Sequence, residues 1–187
     1  MLRLLSLSLG VFLLSATAWA VTIDLDAREN GAPAMKNADP VFLQLSAGNY
    51  TVVPISGRFT AWNAWSSRGR AINCEGDACR KGWVNNWSIF TPDSGDIPFQ
   101  TLSSSTGDRD RRAWRTPELA LANALGLTFA LSQNQRVGFA IRDNPVRDNT
   151  GGMSLSVSSL PAIPLPAAGI LLLTGLGGLV LMSRRRA

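Results

Sequence analysis

Two carboxylates and two asparagines crowd one short stretch of this chain, Asp143-Asn144-Pro145-Val146-Arg147-Asp148-Asn149-Thr150-Gly151-Gly152. Calcium takes about six to eight hard oxygen ligands, and flexible loops can supply them from side chains and backbone carbonyls. Asp143, Asp148 and Asn149 could converge on one such cation, and Gly151 and Gly152 would let the backbone turn sharply. Asp, Asn and Gly also build ordinary polar hairpin loops, so metal site and plain turn both stand. A carboxylate pair can cleave glycosidic bonds, but this pair sits in a glycine-containing loop that turn or metal explains better. With no His, one Tyr and two Cys, the chain lacks the usual nucleophile–base arrangements. The expectation is a protein that is not an enzyme.

Three further features could carry chemistry. Cys74 and Cys79, in C-x4-C spacing, are expected to form a small local disulfide in an oxidising compartment. Zinc would need more ligands than this chain offers. So short a loop adds little global stability, so the bridge should fix a turn. Trp62, Trp65, Trp83, Trp87 and Trp114 suggest a carbohydrate platform, although most Trp in a small domain fill its core. Trp62 and Trp65, beside Ser66-Ser67-Arg68, are the ligand-facing candidates. The run Asp108-Arg109-Asp110-Arg111-Arg112-Ala113-Trp114-Arg115 could grip acidic polysaccharide. More often such a run is a solvated loop pairing its own charges.

The ends of the chain say where these residues would act. Residues 1–20 carry Arg3, an apolar run over 4–14 and the small-x-small sequence Ala18-Trp19-Ala20, the three parts of a signal peptide cleaved after Ala20. Residues 167–182 are almost wholly apolar and run into Arg184-Arg185-Arg186. That stretch is short of the roughly 20 residues of a full span, so it reads as one minimal transmembrane helix. The arginines hold its end on the cytoplasmic side of the inner membrane, which leaves the ectodomain outside. The chain carries 18 basic and 13 acidic residues, but Arg3 and the last three arginines are targeting charges. The remaining 14 basic against 13 acidic give no reason to expect nucleic-acid binding.

Between the ends, residues 21–160 make one domain-sized ectodomain, followed by a tail over 161–187. Apolar or alternating runs over 41–45, 50–55, 58–65, 83–90, 127–131, 137–142 and 153–157 read as strands. Ala47-Gly48-Asn49, Thr91-Pro92-Asp93 and Ser132-Gln133-Asn134-Gln135 punctuate them. Thr116-Pro117-Glu118 before residues 119–125 reads as an N-capped helical turn. Short strands at about 8–12-residue spacing predict an all-β, two-sheet sandwich of jelly-roll-like type. Residues 158–166, rich in Ser and Pro, make a semi-rigid spacer.

Two resemblances extend this reading. Ile163-Pro164-Leu165-Pro166-Ala167, then an apolar span, then an arginine cluster, resembles the PEP-CTERM sorting tails, in the variant named for Val-Pro-Leu-Pro-Ala. Ile163 replaces the Val. The resemblance implies recognition by an exosortase-type membrane protease or transpeptidase, with anchoring or later release to the surface or matrix. The ectodomain resembles the calcium-dependent, galactose-binding lectins of the PA-IL type. It does so through the turn and strand near residues 47–55, the Cys74–Cys79 pair, and Asp143 followed by Asp148-Asn149-x-Gly. That implies calcium held by Asp143, Asp148 and Asn149, completed by a backbone carbonyl near Leu45. This chain departs in its shorter Asp-to-Asp loop and in having Arg68 and Arg70 where the family uses a sugar-contacting His. Galactose specificity therefore does not carry over.

The expected function is that of an exported surface or matrix protein whose ectodomain binds extracellular polysaccharide with the help of calcium. The alternative is a purely structural surface protein with no specific ligand. N-terminal sequencing of the exported chain should give Val21 as its first residue; a chain that still begins at Met1 overturns the export reading.

Overall fold

Apolar residues at every second position bury one face of a strand, and residues 20–26 do this with Ile23 and Leu25. In the computed structural model, which describes residues 19–32, 39–65, 68–92, 100–103 and 112–160, they form β1 (Ala20–Asp26). After β2 (Gly31–Ala32) come β3 (Val41–Leu45), β4 (Gly48–Ile55) and β5 (Trp62–Asn63). A hairpin of β6 (Ile72–Glu75) and β7 (Ala78–Lys81) follows, then β8 (Trp83–Val84), β9 (Trp87–Phe90), β10 (Gln100–Leu102) and β11 (Ala113–Trp114). Helix α1 (Pro117–Ala122) precedes β12 (Leu127–Leu131), β13 (Gln135–Arg142), a 3-10 turn (Val146–Asp148) and β14 (Thr150–Ser159).

The described strands form two sheets, so the protein is mostly β, as expected. One sheet runs β12-β4-β14-β5-β8-β11-β7-β6, with β1 on the other side of β14. The second runs β10-β9-β13-β2, with β3 also paired to β13. Leu25, Tyr50, Val52, Phe129, Met153, Leu155 and Val157 from the first sheet share a core with Leu45, Trp87, Ile89, Val137, Phe139 and Ile141 from the second. Those alternating positions explain why the two faces meet and exclude water.

Several boundaries differ from the sequence expectation. The run over 83–90 is two strands in different sheets, because Asn85 and Asn86 interrupt it: the Asn85 amide donates to the Thr60 carbonyl, and Asn86 accepts from Trp62. Of 58–65, Trp62–Asn63 alone is strand. Strand β1, absent from the sequence reading, pairs with β14 over its whole length, from Ala20 opposite Ser158 to Asp26 opposite Gly152. The helical turn is where the sequence placed it but shorter. Thr116 caps its start by accepting from Leu119, and Asn123 closes its end on the Leu119 carbonyl.

The Cys74–Cys79 disulfide joins facing positions of the β6–β7 hairpin. Arg115 clamps the turn of that hairpin, donating to the Gly76 carbonyl at 2.9 and 2.6 Å. The described residues belong to one compact unit, Ala18–Leu160. The first eighteen residues and the sorting tail, including Ile163, Pro164, Leu165, Pro166 and Ala167, lie outside the described residues. Among the described residues no helix is long and apolar enough to cross a membrane. Ala20 is the first residue of β1, so cleavage after it leaves the rest of that strand in place.

Leu155 is fully buried in the centre of β14, so Leu155→Ala should destabilise the fold by about 2–5 kcal/mol. Val53, on the solvent side of β4 and 41% exposed, should tolerate Ala at a cost below about 1 kcal/mol. Denaturant unfolding of the two variants checks this; equal losses would contradict the assignment of faces.

Candidate functional site

The β1–β14 pairing sets one end of the first sheet. Beyond Asp26 the chain turns at once. The Asp26 Oδ1 accepts the backbone N–H groups of Arg28 and Glu29, at 2.8 and 3.2 Å. The Asp26 N–H donates to Asn30 Oδ1, and Asn30 N–H to the Asp26 carbonyl. This is how an Asp side chain stands in for backbone at a tight turn. The turn delivers Gly31 and Ala32 alongside the end of β13, paired with Ile141 and Arg142. It therefore lies against the loop that joins β13 to β14.

That loop holds all three predicted ligands. Asp143 follows β13 and donates its N–H to the Ala32 carbonyl at 3.1 Å. The peptide bond between Asn144 and Pro145 is cis. The 3-10 turn then brings Asp148 and Asn149 back beside Asp143. Asn149 is fully buried and donates from Nδ2 to the Ala27 carbonyl at 2.8 Å. Its own carbonyl accepts from Arg28 Nε at 2.7 Å. Gly151, at φ +83°, has room only for hydrogen: a Cβ there would lie 2.7 Å from the Ala61 carbonyl.

Each of the three side chains presents a buried oxygen with no hydrogen-bond partner: Asp143 Oδ2, Asp148 Oδ1 and Asn149 Oδ1. Buried polar atoms are rarely left this way, since each costs about 1–3 kcal/mol and more if charged. Burial raises the Asp143 carboxyl above its ordinary pKa, and the neighbouring charge of Asp148 adds to the rise. Hydrogen bonds from the Asn144 backbone and the Asn149 side chain oppose it. The three side chains thus act on one another, and their unsatisfied atoms are all acceptors. Such a set fits a hard cation, which supplies the positive charge and takes oxygen ligands. Among the described residues no group of three or more His, Cys, Asp or Glu assembles, so any shell here draws on Asn149 and backbone carbonyls.

The other sequence candidates lie elsewhere. The Leu45 carbonyl is not beside this loop: Leu45 pairs with Gln135 at the far end of β13. At about 3.3 Å per residue that is roughly 26 Å from Asp143 along the strand. The carbonyls near the loop come instead from residues 27–32, a turn the sequence reading passed over. Its signal was present, an alternating run ending in Asp26-Ala27-Arg28-Glu29-Asn30-Gly31.

Trp62 is 2% exposed and donates to the Asn86 carbonyl, so it is a core residue and not a sugar-facing one. Trp65 is half-buried against the core. Cys74 and Cys79 sit in β6 and β7, at the end of the strand order away from β12, and their disulfide ties that hairpin. Arg68 and Arg70 are exposed, and residues 108–111 of the arginine-rich run fall outside the described residues. Comparison with known proteins finds no matching family, no matching curated sequence and no matching solved structure.

The raised pKa of Asp143 has a definite consequence for stability. A carboxyl that binds its proton more tightly when folded is penalised above its folded pKa and not below its unfolded one. With chelator present, Asp143→Asn should therefore melt higher than the parent chain at neutral pH. The difference should shrink as pH falls towards the ordinary carboxylate value. If the variant instead melts lower at neutral pH, the carboxylate is serving the turn and needs no cation.

Proposed function

We propose that this chain is an exported, membrane-tethered surface protein with a jelly-roll-like ectodomain that is not an enzyme. It binds calcium through Asp143, Asp148 and Asn149 and uses that cation to contact extracellular polysaccharide. The observation that carries the reading is that one loop buries three oxygens, on Asp143, Asp148 and Asn149, without hydrogen-bond partners. Two carboxylates there would repel one another without a counter-charge, and calcium supplies it together with open coordination positions for sugar hydroxyls. Asp143, Asp148 and Asn149 would hold the cation, while the 26–32 turn keeps Asn149 in place through Ala27.

The ends of the domain suit display. Val21 lies opposite Val157 at one end of the β1–β14 pair, and Leu160 follows there, its N–H on the Asn49 carbonyl. The cation loop lies at the other end of the same pair, beside Asp26 and Gly152. The tail would be handled by an exosortase-type protease or transpeptidase. A purely structural matrix protein is the second reading, favoured by the lack, among the described residues, of a group of three or more His, Cys, Asp or Glu that could hold a metal.

Melting of the full chain in detergent, followed by Trp fluorescence, separates the two. A ligand bound only by the folded state at a hundredfold excess over its Kd adds about 2.7 kcal/mol, which for a domain of this size is several degrees. Calcium should give that rise, magnesium much less, and Asp148→Ala should abolish it. No rise with calcium leaves the structural reading standing.

A further inference from the structure

An edge strand offers its free N–H and C=O groups to any strand that meets it, and natural sheets guard such edges with charge, Pro or shortness. Among the described residues, β1, β2, β3, β6, β10 and β12 pair on one side alone. All but β12 carry a guard. β1 holds Asp24 and Asp26, β3 opens straight after Asp39-Pro40, and the four-residue β6 ends on Glu75. β2 and β10 have only two and three residues.

β12 is five residues long and pairs with β4. No residue from 119 to 135 is charged, and none is Pro. Phe129 and Leu131 enter the core, Leu127 is left half-buried at its margin, and Thr128 and Ala130 face outward, exposed. Apolar surface continues past the start of the strand. Leu125 is 50% exposed, and Gly126 lies against Val53, itself exposed on β4.

Such a strand is matched by itself. Antiparallel pairing about a two-fold axis at Phe129 would set Leu127 opposite Leu131 of a second copy and Thr128 opposite its Ala130. The half-buried Leu127 would then gain cover on the core side. Two-fold pairing brings each residue close to its own copy, so a charge in the strand would oppose it. The uncharged run over 119–135 removes that obstacle, and it also gives an acidic or basic partner nothing to recognise. Because the same edge is used up on both copies, the assembly closes at a dimer, and the guarded edges give it no route to a fibre.

We infer that β12 is a self-docking edge, through which two copies of this chain join their first sheets into one continuous sheet. The inference goes beyond the cation reading and does not depend on it.

Sedimentation of the full chain in detergent over a range of concentrations, with amide hydrogen exchange on the same samples, tests this. The parent chain should pass from monomer to dimer as concentration rises, and exchange over residues 127–131 should slow in step. Thr128→Lys combined with Ala130→Lys sets lysine opposite lysine twice and should weaken the dimer about tenfold. Thr128→Lys combined with Ala130→Glu differs in one side chain but sets opposite charges face to face, and should dimerise as the parent does. Both positions are exposed, so the three chains should melt alike. A chain that stays monomeric at every concentration overturns the inference. So does a dimer that the double-lysine variant leaves intact, which would place the contact elsewhere in the chain. Equal weakening by the two variants, or exchange over 127–131 that ignores concentration, overturns it as well.

Discussion

The pairing of β1 with β14 is the constraint on which the rest of the domain depends. Seven consecutive residues at the start of the described domain match seven near its end, from Ala20 opposite Ser158 to Asp26 opposite Gly152. That register brings Ile23 and Leu25 onto the face where Met153, Leu155 and Val157 already point. A slip of one residue would turn all of them outward, because side chains alternate along a strand. The same register places the turn after Asp26 beside the loop before β14, where the Ala27 N–H donates to the Gly151 carbonyl. Core and candidate site are thus set by one ladder.

Buried polar side chains on the strands can serve the fold: Ser154 hydrogen-bonds Asp24 and the Phe59 backbone, and Ser88 pairs with Thr101 across two strands. In the loop, Asp143, Asp148 and Asn149 each bury an oxygen without a partner, and the Asp143 carboxyl is held above its ordinary pKa. Local choices of this kind oppose stability within a fold that is otherwise consistent. Gly151 adds to this: its positive φ and the nearby Ala61 carbonyl leave no room for a side chain. The backbones of β1, β5 and β14 can therefore crowd together at the site.

Much of the fold was legible from residue pattern. Strands over 41–45 and 127–131 begin and end where alternation and turn residues put them, and Thr116-Pro117 marks the start of α1. The pattern was less informative where the chain changes sheet. Residues 83–90 look continuous because Trp83, Val84, Trp87 and Ile89 are all apolar, yet burial in two different sheets asks for the same residue types. Very short strands such as β5 and β11 carry too few residues to show a period. Trp62 was misplaced for a related reason. An indole beside Ser and Arg looks exposed in sequence, but its position opposite Val84 and Gly151 turns it into the core.

Residue pattern alone says that the middle of the chain is β, that Cys74 and Cys79 meet, and which three side chains share one loop. These are local properties, set by alternation, by short spacing and by residues close together along the chain. What stands around the loop is a matter of packing between distant segments. Ala27 and Arg28 reach Asn149 across more than a hundred residues, and Leu45 is carried to the far end of β13. Both outcomes follow from strand register, which depends on how two distant segments share one buried face. No residue type states that on its own.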